Sequence, residues 1–185
     1  MKSVEQNPLA KIPPAFFADA MLGSIARKLR IFGFDTIYIR DIRDEEVLGI
    51  ASKLDRVILT CDKELFKRVV KVGGYGILLS GIDDVDNLAY IFGKYTIKPI
   101  DLDTITSRCA LCNGQLKNTK IEDLESVCIP PKVRLLHREI FRCVSCNKNY
   151  WKGNHFKQLR NMAKLVGMRL DSSSRKGYIQ ASKKG

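Results

Sequence analysis

Two histidines, one tryptophan and no apolar run near the ~20 residues of a helical membrane span mark what this 185-residue chain lacks. The missing run excludes a helix across a bilayer. The first 14 residues, MKSVEQNPLAKIPP, also lack the apolar stretch of a signal peptide, so the expected setting is the cytoplasm with no membrane partner. There is no internal repeat, and low complexity is confined to the final SSSRKGYIQASKKG. At 45% hydrophobic residues the chain has material for a real core. No histidine lies near Cys61 in sequence, so Cys61 reads as a strand-end residue rather than a nucleophile. Six cysteines without a secretory leader point to bound metal or reduced thiols, not to a disulfide framework.

Acids are scarce in the second half. The chain carries 32 Lys+Arg against 20 Asp+Glu, a net charge of +12. Residues 1–100 contribute only +2 of this, and residues 101–185 contribute +10. From Lys148 onward Asp171 is the single acid among ten basic residues. One reading is a solvated tail. The sharper one is a footprint for a polyanion, most simply nucleic acid. Segment 156–170 has the pattern of a basic amphipathic helix with a weak apolar face.

Strand and helix patterns alternate through the first half. AFFA (15–18) is a short apolar run ending at Asp19. Residues 22–32 carry Leu22, Ile25, Ala26, Leu29 and Phe32 on one helical stripe, with Arg27, Lys28 and Arg30 mostly off it and Gly33 as a stop. TIYI (36–39), RVILT (56–60) and GILLS (76–80) read as strands. Helices are predicted over 44–53, over 63–71, and from Asp83, Asp84 or Asp86 to about Phe92. Near-continuous apolar strands separated by helices predict an α/β fold, a parallel sheet with helices on both faces. All strand ends then share one edge, where ligands of such sheets bind.

Acids follow each predicted strand: Asp19 after the first, Asp41, Asp44, Glu45 and Glu46 after the second, Asp62 after the third, Asp83 and Asp84 after the fourth. Carboxylates brought to one crevice repel each other unless a cation is shared, and hard oxygen ligands select Mg²⁺ or Mn²⁺. Such an ion could activate water and neutralise a phosphodiester. The alternative is ordinary helix capping, which fits the 44–46 and 83–86 clusters and also Asp19 and Asp62.

Cys109-Ala-Leu-Cys112 and Cys143-Val-Ser-Cys146 have the spacing of a tetrahedral, structural Cys₄ zinc site. Asn113-Gly114 suits the tight turn of a zinc knuckle, Asn147-Lys148 a looser one, and Ile129-Pro130-Pro131 the turn of a hairpin in the spacer. Cys128 is not expected to be a ligand. A module this small is expected to draw its folding energy from the metal rather than from a core of its own. Tyr150-Trp151-Lys152-Gly153-Asn154-His155 interleaves aromatics with basic groups, which suits stacking on bases and contact with phosphates. Alternatively Tyr150 and Trp151 pack the zinc module against the sheet. The candidate RNA contacts are Arg27, Lys28, Lys148, Trp151, Lys152, His155 and Lys157.

Taken together, FFADAMLGSIARKLRIFGFDT (16–36), DEEVLGIA (44–51), RVILTCDKEL (56–65), SRCALCNGQL (107–116) and FRCVSCNKNYWKGNHF (141–156) make the chain resemble the Mut-seven C-terminal RNase domain family. That family joins a PIN-like ribonuclease domain to a C-terminal zinc ribbon. The resemblance implies an N-terminal extension (1–14), a PIN-like nuclease domain (15–100), a zinc ribbon (101–160) and a basic C-terminal tail (161–185). It implies a metal-dependent ribonuclease, with Asp19 and Asp62 as Mg²⁺ or Mn²⁺ ligands. Asp44 or Glu45 and the region of Asp83 would complete the acid set, and the four cysteines would bind zinc. RNA is the implied partner, with the ribosome, tRNA and a second copy of the chain as further candidates. The alternative is an RNA- or ribosome-binding protein that has kept the fold without catalysis. A phosphotransfer domain with Asp19 or Asp62 as phosphoacceptor fits the zinc module and basic tail poorly.

Overall fold

The computed structural model describes residues 14–53, 55–79, 83–95, 97, 102, 107–124, 129–137 and 139–175. The predicted alternation is present. Four short strands, β1 (Phe16–Ala18), β2 (Thr36–Tyr38), β3 (Val57–Thr60) and β4 (Tyr75–Leu78), form a wholly parallel sheet in the order β2-β1-β3-β4. Phe16 pairs with both Thr36 and Val57, and Val57 with Tyr75, so the strand ends are level at one edge.

Period-two alternation sorts the strand residues onto two apolar layers. Phe16, Ala18, Val57 and Leu59 face one layer; Phe17 and Ile58 face the other. The larger layer is closed by α1 (Gly23–Ile31) through Ile25, Ala26 and Leu29, and by α4 (Asp84–Lys94) through Leu88, Ile91 and Phe92. The smaller layer gains Val47 from α2 (Asp44–Lys53) and Leu65 and Val69 from α3 (Lys63–Lys71). Helices thus cover both faces, as a right-handed crossover pattern requires. Phe16, Phe34 and Tyr95 meet edge-on in the larger layer, with ring centroids 5.8 and 5.9 Å apart.

Beyond the sheet the chain forms an antiparallel sheet β5-β6-β7, from Leu116–Lys120, Glu139–Cys143 and Asn149–Tyr150. Pro131 opens a short helix, α5 (Pro131–Leu136), in place of the expected hairpin turn; proline is well placed at a helix start because its missing N–H has no helical partner there. The zinc module also has a small core. Leu124, Ile129 and Ile140 are buried, with Ile121, Val133 and Trp151 packed on them. Trp151 therefore closes this module's own core rather than joining it to the parallel sheet.

A 22-residue helix, α6 (Asn154–Arg175), runs straight through the expected boundary at residues 160 and 161. Its Leu159, Ala163 and Val166 are buried in the larger layer, against α4. Burying that stripe couples α6 to the sheet domain.

Candidate functional site

The strand order creates a switch point between β1 and β3. The chain leaves β1 toward one face and β3 toward the other, which opens a crevice at their ends. Asp19 and Asp62 stand there. Asp19 directly follows β1, is only 8% exposed, and caps a single 3₁₀ turn (Ala20–Leu22) by accepting the N–H of Ala20. Asp62 follows β3 and Cys61 and caps α3, its Oδ1 accepting the N–H groups of Glu64 (2.7 Å) and Leu65 (3.1 Å). Thr60 joins the two. Its Oγ1 donates to Asp19 Oδ2 (2.8 Å) and accepts the N–H of Asp62 (2.9 Å).

The other acids are held apart from this pair. Asp44 and Glu45, in the first turn of α2, each accept from the Arg68 guanidinium on α3, both at 3.0 Å. Its own backbone N–H and Arg68 hold the Glu45 carboxyl below the usual carboxylate range. Asp83 caps α4 through the Asp86 N–H at 2.8 Å, and that bond holds its carboxyl down. Asp84 accepts from Ser24 (2.7 Å) and from Lys28. Thr60 thus links the Asp19 carboxylate to the backbone of Asp62, while Arg68 holds Asp44 and Glu45 and Asp83 serves as a cap. Cys61 sits between Thr60 and Asp62, where burial and the charge of Asp19 push its thiol up.

The thiols form a compact group. Cys109, Cys112, Cys143 and Cys146 place their Sγ atoms within 4.8 Å of one another, the one set of three or more such potential ligands among the described residues. Cys109 and Cys146 are 3.6 Å apart, and Cys112 and Cys143 3.4 Å. Tetrahedral zinc with Zn–S of about 2.3 Å separates its sulfurs by about 3.8 Å, so these residues fit a closed, structural zinc site.

Both turns are built alike. Asn113 donates its N–H to Cys109 O (2.9 Å), and Cys109 donates to Gly114 O (2.8 Å). Asn147 donates to Cys143 O (3.0 Å), and Cys143 to Lys148 O (2.9 Å). Asn113 and Asn147 have φ of 68° and 60°, left-handed values that asparagine tolerates. The second turn is therefore a full counterpart of the first, not a looser one. Burial opposes charge on Cys143, but the N–H groups of Cys146 and Ser145 and the neighbouring thiols outweigh it and hold its pKa at about 6. Tyr150 brings its hydroxyl to 3.1 Å from Cys109 Sγ.

The first knuckle is docked on the sheet by contacts that sequence reasoning does not single out. Arg30, buried at the end of α1, donates to the carbonyls of Ala110 and Leu111 (both 3.0 Å) and of Thr36 (2.8 Å). Asn113 donates to Asp35 (2.7 Å) and accepts the Thr36 N–H (3.1 Å). Arg56 closes on Asp35 with two hydrogen bonds of 2.9 and 3.0 Å. The helical pattern places Arg30 mostly off the apolar stripe, yet the structure buries it, because its partners in the knuckle lie some 80 residues away.

Of the candidate RNA contacts, Arg27, Lys148, Lys152, His155 and Lys157 are exposed. Lys28 is partly buried and ion-paired to Asp84, and Trp151 is half-buried. Lys152 lies over the Phe156 ring, 5.5 Å from its centroid. Cys128 lies outside the described residues. No helix among the described residues is long and apolar enough to cross a membrane.

Comparison of the chain with curated proteins and with solved structures returns no match. Residues 14–163 match the Mut7-C RNAse domain, a span covering the parallel sheet, both knuckles and the first half of α6, and the chain belongs to that family.

Proposed function

We propose that the protein is a metal-dependent ribonuclease, cutting RNA within the strand at the β1–β3 crevice. The observation that carries this reading is the Asp19–Thr60–Asp62 constellation at the switch point of the sheet. Mg²⁺ is commonly held by one or two carboxylates plus substrate phosphates, so Asp19 and Asp62 suffice as its protein ligands, and Mn²⁺ takes the same hard donors. A bound divalent ion supplies charge neutralisation at the phosphodiester and a water of lowered pKa. Thr60 fixes the Asp19 carboxylate by occupying Oδ2 and leaves Asp62 Oδ2 without a hydrogen-bond partner among the described residues. Asp44 and Glu45 are held by Arg68, and Asp83 caps the start of α4, which follows β4. Four cysteine ligands leave no open coordination position, so the zinc site is structural.

The test is cleavage of single-stranded and structured RNAs by the pure full-length chain with Mn²⁺. Asp19→Asn and Asp62→Asn remove the charge, and asparagine caps a helix as well as aspartate does. Each should slow cleavage by at least about 100-fold, since metal-ion stabilisation of the transition state is worth several kcal/mol. Wild type and Asp19→Asn equally inactive on every RNA would end the enzymatic reading.

The use of Asp62 and Asp83 as caps, and of Asp44 and Glu45 as partners of Arg68, favours the rival reading: an RNA- or ribosome-binding protein without catalysis. In that case RNA affinity survives the loss of both Asp19 and Asp62, and no RNA is cut.

A further inference from the structure

Helix α6 links the zinc module to the edge where Asp19 and Asp62 lie. It begins four residues after Tyr150 of β7 and, at 1.5 Å per residue, its 22 residues extend about 33 Å. Its C-terminal half reaches the start of α4, where Arg169 pairs with Asp86 at 2.9 Å. The start of α4 follows β4 and so lies at the strand-end edge.

The surface along this path has two parts. With 3.6 residues per turn, Lys157, Arg160 and Lys164 fall on one exposed stripe beside the buried Leu159, Ala163 and Val166, with Arg160 lying over the Phe156 ring. Lys157 and Lys164 are separated by about 10 Å along the axis. On the flank of that stripe a cleft of about 500 Å³ lies between α6 and α4. Val85, Met162, Leu165 and Met168 line it, with Asp83 and Arg169 also at its wall. Leu165 and Met168 are 51% and 66% exposed, although they adjoin an apolar cleft.

Resting on the RNA reading above, we infer that this surface is a groove for single-stranded RNA: Lys157, Arg160 and Lys164 take successive phosphates, and the α4–α6 cleft takes one unstacked base. The chemistry of the two parts differs as those of a nucleotide do. Cationic side chains on an exposed helix face meet phosphate. Thioethers pack against aromatic faces, and a carboxylate accepts from the exocyclic amino group of a base. The carboxylates of Asp83, Asp84 and Asp86 at the same end disfavour any anion there, phosphate included, and leave that end to an uncharged base. The arrangement gives the strand a path from the zinc module along α6 to the start of α4 at the strand-end edge.

The test is fluorescence anisotropy of a labelled 12-nucleotide mixed-sequence RNA with the full chain, without added Mg²⁺ or Mn²⁺, over a salt series. K157E/K164E should weaken binding at least 10-fold, and should flatten the log–log salt slope by about 1.4, or 0.7 for each phosphate of a single strand that is deprived of its cation. L165A/M168A should weaken binding about 3- to 10-fold with the slope unchanged, as expected when a base no longer stacks. All four positions are exposed, so zinc content and melting midpoint should stay at wild-type values. Affinity and slope within twofold of wild type in K157E/K164E would overturn the inference. An effect of K157E/K164E matched by none in L165A/M168A would overturn the base site and reduce the surface to general attraction of polyanions. A wild type that binds through these residues but never cuts RNA sinks only the nuclease reading; one that cuts RNA with both double variants unchanged sinks only this inference.

Discussion

The two halves of the molecule hold their candidate metal ligands in opposite ways. In the zinc half, two turns of the same construction bring four thiols within 4.8 Å of each other on a module with three buried apolar side chains. In the sheet half, two apolar layers fix the strands, yet the acids at their ends are each engaged elsewhere: Asp62 and Asp83 with helix N–H groups, Asp44 and Glu45 with Arg68. Local turn geometry preassembles a site from residues three apart. A strand-end edge assembles one only from residues that arrive on separate elements, and each arriving acid has local work available as a cap. The zinc half is therefore expected to depend on its metal for shape, and the sheet half to keep its shape whatever its acids bind.

The sharpest way to break this contrast is Cys143→Ser. Bound zinc supplies on the order of 10 kcal/mol to minimal zinc modules. The variant should lose zinc, and amides of β5, β6 and β7 should lose protection from hydrogen exchange while those of β1 and β3 retain theirs. Equal loss in both sheets would mean that the halves fold as one unit and that the comparison is mistaken.

Gly114→Ala perturbs the site without removing a ligand. A Cβ at position 114 would lie 2.6 Å from Ser145 Oγ and 2.9 Å from Cys143 Sγ, so the sulfur or the turn must shift. Zinc affinity, measured by competition with a chelator, should fall about 10- to 100-fold, the usual range for disturbed surroundings of a metal ligand. Unchanged affinity would show that the knuckles are looser than their hydrogen bonds indicate.

Asp35→Asn probes the seam between the halves and should have the smallest effect. Burial raises the Asp35 pKa, but hydrogen bonds from Arg56 and Asn113 and the charges of Arg56 and Arg108 outweigh it, leaving the carboxyl below its ordinary value. A depressed folded-state pKa contributes stability that is complete above the unfolded value of about 4 and is lost as pH falls through the folded one. The melting midpoint of wild type should therefore exceed that of the variant near pH 6, with the gap closing below about pH 4. A gap independent of pH would show that the carboxylate charge is not what the seam uses.

Much of both halves is legible in the sequence because it rests on local rules. The strand runs, the helix starts at Asp44 and after Asp62 and Asp83, the stop at Gly33 with φ of 90°, and the two CxxC turns all follow from residues within a few positions of one another. The spacer between the cysteine pairs misleads because Pro130-Pro131 suits both a turn and a helix start. The reach of α6 into the sheet domain is hidden because its apolar stripe is weak and gains meaning only against α4.

Taken alone, the amino-acid sequence determined the α/β alternation, the zinc-type thiol set and the uneven charge, since each depends on periodicity, spacing or composition. Only the tertiary structure decided which partner each acid takes. Thr60 reaches Asp19 across 41 positions, Arg68 claims Asp44 and Glu45 from another helix, and Arg30 holds a knuckle 80 residues away. Such pairings follow from the order in which parallel strands are laid beside one another. That order is set by packing the two apolar layers as a whole, so no short stretch of sequence carries it.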